Sequence, residues 1–375
     1  MSLTDLAIKA SLALIMLFGV LNIAGLLTWL ERKQSAIMQD RVGANRAVFY
    51  FPWWWAAPIN WVIQKIAGIG LLHPLADVIK LLTKEDFTPS TGSKFLHFLA
   101  PLVSVFFALL VFAAIPFGDR IELFGRSIDL QVISLDWSLV FVLALGSIGI
   151  YGVFLAGISS ATNLSTLGSM RAVSQMLSYE IALGVSLIGP VMFYQSADLQ
   201  QMIRAQGELM FGFLPAWGIF TQPLAFLVFV TAALAQTKRI PFDLPEGESE
   251  IIGYFVEYSG MKFGLFFLTD FVETTLVAAM VSVLFFGGWQ VPYLGANGFV
   301  FPWGAQMVLP QIAVALIGIV SFSVKVAFFL WLFMAIRWTL PRFRYDQLMH
   351  LGWKILFPLA MANILITGLF CALVR

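Results

Sequence analysis

QTKRIPFDLPEGESEIIGYFVEYSG, residues 236–260, gathers Lys238, Arg239, Asp243, Glu246, Glu248, Glu250 and Glu257 between two long apolar runs. The chain around it has 375 residues, of which 60% are hydrophobic and only 11% charged. Its mean hydropathy is +0.88. Such a chain cannot present the charged exterior of a soluble globule, so the solvent for most of it is lipid. Charge concentrated between two apolar runs therefore lies beside a membrane.

Outward from this segment, eight runs have the roughly 20 mostly apolar residues that a spanning helix needs. They cover about 8–30, 95–117, 137–158, 174–194, 214–236, 263–287, 309–335 and 353–374. The first is no cleaved signal peptide, because its positive flank, Glu31-Arg32-Lys33, follows the apolar core. Lys and Arg number eight in loop 31–94, two in 118–136, one in 159–173, one in 195–213, three in 237–262, none in 288–308 and three in 337–352. The positive-inside rule makes the loops at about 31–94, 159–173, 237–262 and 337–352 cytoplasmic and puts both termini outside. With no internal repeat or linker, residues 1–375 read as one polytopic all-α membrane domain.

The loops carry their own signals. Residues 120–130 alternate Ile121 and Leu123, then Ile128 and Leu130, around Phe124-Gly125-Arg126, which predicts a small external hairpin with a solvated acidic face. In the first cytoplasmic loop, Trp53, Trp54, Trp55 and Trp61 favour the headgroup level, so residues 58–68 should lie along the interface. Pro74 can open a further amphipathic helix with Leu75, Val78, Ile79 and Leu82 on one face. Its polar stripe, Asp77, Lys80 and Lys84, faces either water or an internal polar cavity.

Ionisable groups inside spans are costly and point to function. Glu180 lies about six residues, roughly 9 Å, inside the fourth run, and desolvation there suits a titrating carboxyl. Asp270 and Glu273 share a face of the sixth run, and Lys325 is deep in the seventh. Lys325 could form an ion pair with one of these acids; for Glu273 a structural and a titrating role stand level. In the opening segment, Pro241 and Pro245 forbid a continuous helix, and Asp243 with Glu246 has capping-box spacing. Capping leaves Glu248 and Glu250 unexplained, and crowded acids titrate as a coupled group.

Composition excludes other classes. The net charge of +1 gives no basic surface for nucleic acid. A single cysteine, Cys371, and three scattered histidines supply no disulfide framework, metal site, haem ligation or iron–sulfur cluster.

The run Pro241 to Glu250 with Glu257-Tyr258-Ser259-Gly260 resembles the H-subunit family of respiratory NADH:quinone oxidoreductase, the bacterial complex I. Similar blocks occur in family order over the chain: Glu31-Arg32-Lys33, Asp40-Arg41-Val42-Gly43, His73 to Glu85, Arg171 to Gln175 leading into Ser178-Tyr179-Glu180, and Arg337 to Gln347. The resemblance implies a non-redox subunit, inactive alone, of a proton-translocating translocase in the bacterial cytoplasmic (inner) membrane. It would form the chamber for ubiquinone or menaquinone beside hydrophilic quinone-site subunits and small membrane subunits. FMN and iron–sulfur clusters would belong to those partners, with quinone as substrate and no metal or cofactor held by this chain. Glu31, Arg32, Arg41, Asp77, Lys80 and Arg239 would line or brace the chamber. Glu180, Glu246, Glu248, Glu250 and Asp270 would relay protons, and Arg337, Arg342, Arg344 and Asp346 would anchor the hydrophilic arm. Two positions depart from the family pattern: Gln236 stands where an acid is often found, and Asp270 where Glu is common. Segment 250–257 is one residue shorter than usual. The alternatives are the homologous membrane subunit of a hydrogenase- or ferredoxin-linked complex or of the plastid enzyme, and a stand-alone secondary ion transporter.

Overall fold

The computed structural model describes residues 3–53, 57–90, 92–123, 126–210, 213–245, 247, 253–295, 298–300 and 305–374. Glu246, Glu248 and Glu250 lie outside them, as do Phe124 and Gly125 of the hairpin turn. Helix α1 is Leu3–Met38, followed by α2 (Ala57–Ile69) and α3 (His73–Thr83) in the first loop. Helix α4 (Lys94–Leu110) tightens into a 3₁₀ turn over Val111–Ala114, and strands β1 (Arg120–Leu123) and β2 (Arg126–Asp129) follow. Helices α5 (Ser138–Ser159), α6 (Asn163–Tyr194) and α7 (Leu199–Gln206) precede strands β3 (Leu209–Met210) and β4 (Leu214–Pro215). Next come α8 (Gly218–Thr221), α9 (Pro223–Gln236) and α10 (Gly260–Phe285). Strands β5 (Leu294–Gly295), β6 (Gly298–Val300) and β7 (Gln306–Val308) lead to α11 (Gln311–Thr339). Helix α12 (Tyr345–His350) passes through a π turn, Leu351–Leu356, into α13 (Phe357–Val374).

Among the described residues, seven helices are long and apolar enough to span a membrane, and α9 is a shorter apolar helix. The fifth expected span, 214–236, is therefore 14 helical residues after a break. Gln222 sits outside helical geometry (φ −138°, ψ 56°), and Pro223 opens α9 as a first-turn residue. Gln222 still finds partners, since its Oε1 accepts from Asn363 Nδ2 and Thr367 Oγ1, both at 3.1 Å. Inside a bilayer such partners are what make an interrupted span tolerable. The fourth span begins earlier than its apolar run, at Asn163. Helices α2 and α3 meet at 93°, which suits elements lying along or dipping into an interface.

Loop contacts sort by end. At one end Arg342 meets Asp243, Phe343 N donates to Pro241 O at 3.1 Å, Phe87 N to Ser259 Oγ at 2.9 Å, and Ser165 Oγ to Tyr254 O at 2.8 Å. These join the loops at 31–94, 159–173, 237–262 and 337–352. At the other end Arg204 meets Asp119 at 2.8 Å, and Tyr293 Oη donates to Phe213 O at 2.6 Å. Loops thus alternate between ends, as eight crossings require, and the short α9 makes one of them.

The hairpin pairs Arg120 with Asp129 and Ile121 with Ile128, as the alternation predicts. Strands β3–β4 and the three-stranded β5–β6–β7 sheet, of two or three residues each, were not expected from the sequence. Helix α10 is the central post: 67% of its most apolar window is buried, against 17% for α1. Small residues bring helices close, and a Cβ at Gly157 of α5 would collide with Ser169 of α6. Apolar side chains such as Phe18, Leu227, Phe328 and Leu365 remain outward, as lipid contact demands.

Candidate functional site

The segment after α9 distributes two adjacent cations to different helices. Lys238 occupies left-handed backbone (φ 55°), a conformation that costs a non-glycine residue energy and that tertiary contacts must hold. Its ammonium donates to Asp270 Oδ1 of α10 at 3.1 Å and to Tyr254 Oη at 3.2 Å, and its side chain is only 1% exposed. The neighbouring Arg239 donates to Glu31 Oε2 of α1 at 3.2 Å and lies over the Phe271 ring at 4.3 Å. The other oxygen of Glu31 is held by Arg337 of α11. One carboxylate thus fastens α1, α11 and the 236–260 segment together. Beside it Arg32 pairs with Asp77 of α3 at 2.7 Å, so the polar stripe of α3 turns Asp77 toward the bundle.

Asp243 accepts from Arg342 at 3.1 Å through Oδ2, while its buried Oδ1 has no hydrogen-bond partner among the described residues. Burial pushes this carboxyl up to about 6, and the Arg342 and Arg337 guanidiniums only partly offset it. Its carboxylate serves Arg342, while Glu246, the other half of the expected capping pair, lies outside the described residues. Gln175 of α6 braces the segment, donating to Ala235 O at 2.8 Å and Phe242 O at 2.7 Å.

Deeper in the bundle, Glu180 of α6 accepts a hydrogen bond from Ser147 of α5. Glu273, one turn along α10 from Asp270, lines a small cavity of about 50 Å³ with Gln236, Thr237, Met176, Gly146 and Gly149. Lys325 meets neither Asp270 nor Glu273. Its ammonium donates to Phe286 O at 2.8 Å, Gly288 O at 2.9 Å and Gln290 O at 2.6 Å, just past the end of α10. The expected ion pair is replaced by a cation at a helix C-terminus, where free carbonyls and the macrodipole favour it.

The remaining candidates stay at the surface of this chain. Arg41 donates to Gln39 Oε1 at 2.7 Å, beside a surface cavity of about 390 Å³ lined by Val42 to Arg46 and His73. Lys80 is exposed on α3, as are Leu75, Val78, Ile79 and Leu82. Arg344 and Asp346 pair with each other at 3.2 Å, with side chains 79% and 68% exposed. Of the other residues expected at a subunit interface, Arg337 pairs with Glu31 and Arg342 with Asp243. Sequence reasoning left out Lys238, Ser147 and Gln175 as site residues; only Lys238 had a signal, its place beside Arg239 ahead of the Pro-rich run.

A multi-pass helical protein with ion pairs knitted across one end and carboxylates continuing into its bundle belongs to the class of polytopic all-α membrane proteins. Residues 10–368 match the family model described as NADH dehydrogenase. The chain is 42% identical over 365 residues to an H-subunit of NADH-quinone oxidoreductase from Geobacter metallireducens, covering 97% of this chain and 96% of the relative. The H-subunit of Flavobacterium psychrophilum is 40% identical over 369 residues, covering 97% and 96%. That of Thermomicrobium roseum is 41% identical over 359 residues, covering 95% and 93%. The chain belongs to the H-subunit family of NADH-quinone oxidoreductase and is a membrane subunit of that complex, complex I.

Proposed function

We propose that this chain forms the quinone-binding chamber of the complex and couples quinone reduction to proton translocation through its buried carboxylates. The observation that carries this reading is the run of ionisable groups from the loop end into the bundle. It begins at Glu31 with Arg239 and Arg337, continues through Lys238 with Asp270, and reaches Glu180 on Ser147. Glu246, Glu248 and Glu250 join it from the sequence, since they follow directly on Asp243.

Reduction of a quinone to a quinol takes two electrons and two protons, and the headgroup gains negative charge before the protons arrive. Electrons come from a partner's iron–sulfur cluster, and FMN likewise belongs to a partner. Guanidinium groups stabilise such charge well because they stay protonated and donate in a planar fork. Arg239 and Arg337 are already shared with Glu31. A charged headgroup competes for them, and the carboxylate they leave less compensated gains affinity for a proton. In low dielectric that coupling is much stronger than in water. Asp77 with Arg32 braces α3, and Arg41 and Lys80 stand on the side where quinone and the hydrophilic arm approach. Arg344 and Asp346, paired with each other and well exposed, suit contact with that arm.

The excess of Lys and Arg at this end supports a cytoplasmic orientation, with both termini on the far side of the inner membrane and the whole chain as one domain. The test is Glu180→Gln in the purified complex reconstituted into liposomes. A positioned proton carrier contributes about a hundredfold or more, so quinone-coupled turnover and proton uptake should fall by about that factor while subunit content stays normal. Unchanged turnover and pumping would remove Glu180 and the relay with it.

A further inference from the structure

Glu273 has no task in the proposed relay. Its Oε2 is buried and has no hydrogen-bond partner among the described residues, while the other polar groups of α10 nearby are satisfied: Thr274 Oγ1 donates to Asp270 O at 2.7 Å and Thr275 Oγ1 to Phe271 O at 2.9 Å. An ionised carboxylate left unsatisfied in a bundle core is strongly disfavoured, so the group must hold a proton or meet water. The structure provides room for water. The cavity that Glu273 lines has about 50 Å³, above the roughly 15 Å³ needed to admit a water molecule. Part of that space comes from Gly149 of α5, where a Cβ would meet no atom within 4 Å.

The cavity also has polar neighbours on two sides. Toward the loop end, Asp270 lies one turn before Glu273 on α10, paired with Lys238; the charged groups acting on Glu273 are Lys238, Asp270 and Arg239. Toward the core, the lining residues Gly146 and Met176 are the neighbours, one position and one helical turn away, of Ser147 and Glu180. Gln236 faces Glu273 across the same space and has an amide that cannot titrate.

Building on the proposed relay, we infer that Glu273 is its middle station, carrying a proton through water in this cavity between the Lys238–Asp270 pair and the Glu180–Ser147 pair. Each transfer moves one proton from a carboxyl oxygen to a water that releases another to the next carboxylate. The giver becomes charged as the receiver becomes neutral, and no electron moves. Gln236 orients water without taking a proton. The carboxylate on the α10 wall thereby does what an acid at 236 would do from the α9 end.

The experiment uses the whole complex in liposomes. Glu273→Gln should assemble with normal subunit content and lose at least tenfold in quinone-coupled proton uptake. The double variant Glu273→Gln/Gln236→Glu returns a carboxylate to the same cavity and should recover a third or more of it. Gly149→Ala, which changes no titratable group, should slow uptake severalfold by filling part of the space. Normal pumping in Glu273→Gln overturns the inference, and so does a loss that the double variant leaves unrelieved, which marks a packing role. Infrared difference spectra of the resting complex in H2O and D2O test the site apart from quinone chemistry. A carboxylic-acid C=O band that shifts in D2O and is absent from Glu273→Gln is expected, and no such band overturns the assignment. Should Glu180→Gln pump normally, the relay as a whole fails, whereas this band reports on Glu273 alone.

Discussion

Lys238 meets α10 near its middle, at Asp270, and Lys325 meets the chain just past its C-terminal end, and their surroundings differ in kind. Lys238 meets a carboxylate and a phenol; Lys325 meets three backbone carbonyls and the Trp217 ring, 4.8 Å away. A carboxylate can change its charge, so the first lysine belongs to a pair whose net charge can vary. Backbone carbonyls cannot, so the second is a fixed cap on a helix end. Gly287 and Gly288, at φ 70° and 49°, let the chain fold back past Phe285 and point those carbonyls at Lys325. Charge inside a membrane protein therefore divides by the chemistry of its partner: under the proposed coupling the first lysine belongs with the variable charges, the second with the scaffold.

The strongest way to break this contrast is to remove each lysine. Lys238→Met leaves Asp270 buried without its cation, a change that typically costs about 3–5 kcal/mol, so this subunit should be lost from the complex. Adding Asp270→Asn should restore assembly without restoring quinone-coupled turnover, because neither group can then vary in charge. Subunit content on native gels and turnover per assembled complex measure the two effects separately. Recovery of both would place Lys238 in the scaffold.

Lys325→Met should be milder. Losing the donor to buried carbonyls costs about 1–3 kcal/mol, so the complex should dissociate at lower temperature yet turn over normally per intact particle. A tenfold drop in turnover with unchanged thermal stability would give Lys325 a coupling role and erase the distinction.

The same chemistry explains what the sequence could disclose. Eight crossings, the alternation of loops between the two ends and the hairpin register follow from hydropathy and period-two patterning, which are one-dimensional signals. Glu31, Arg32, Asp77 and Arg239 do meet in pairs, and Glu180 is half-buried on a polar partner. The partners of Lys325 were hidden because backbone carbonyls leave no side-chain signature, so an acid in the neighbouring span looked the natural match. Strands of two residues such as Leu209–Met210 are too short for any periodicity. The division of labour between Lys238 and Arg239 depends on one left-handed residue, a tertiary choice that adjacent cations in a sequence do not reveal.

Asp243 tests the contrast most finely, because it has features of both lysine sites: an ion pair with Arg342, and one buried oxygen without a partner among the described residues. Its carboxyl is raised from 3.8 to about 6, burial outweighing the nearby guanidiniums. Between those two values the folded chain keeps a proton that the unfolded chain has released. Stability from this residue is therefore present at low pH, falls as pH rises through that window and is constant above about 6. Heating the complex at pH 5 and at pH 7.5 and measuring retention of this subunit should show wild type losing ground to Asp243→Asn at the higher pH. The opposite sign, with wild type gaining on the variant as pH rises, would mean that Arg342 holds the carboxylate ionised through the whole range. Asp243 would then be a fixed brace like Lys325, and the variable charge of this end would rest on Glu31, Asp270 and the acids that follow in the sequence.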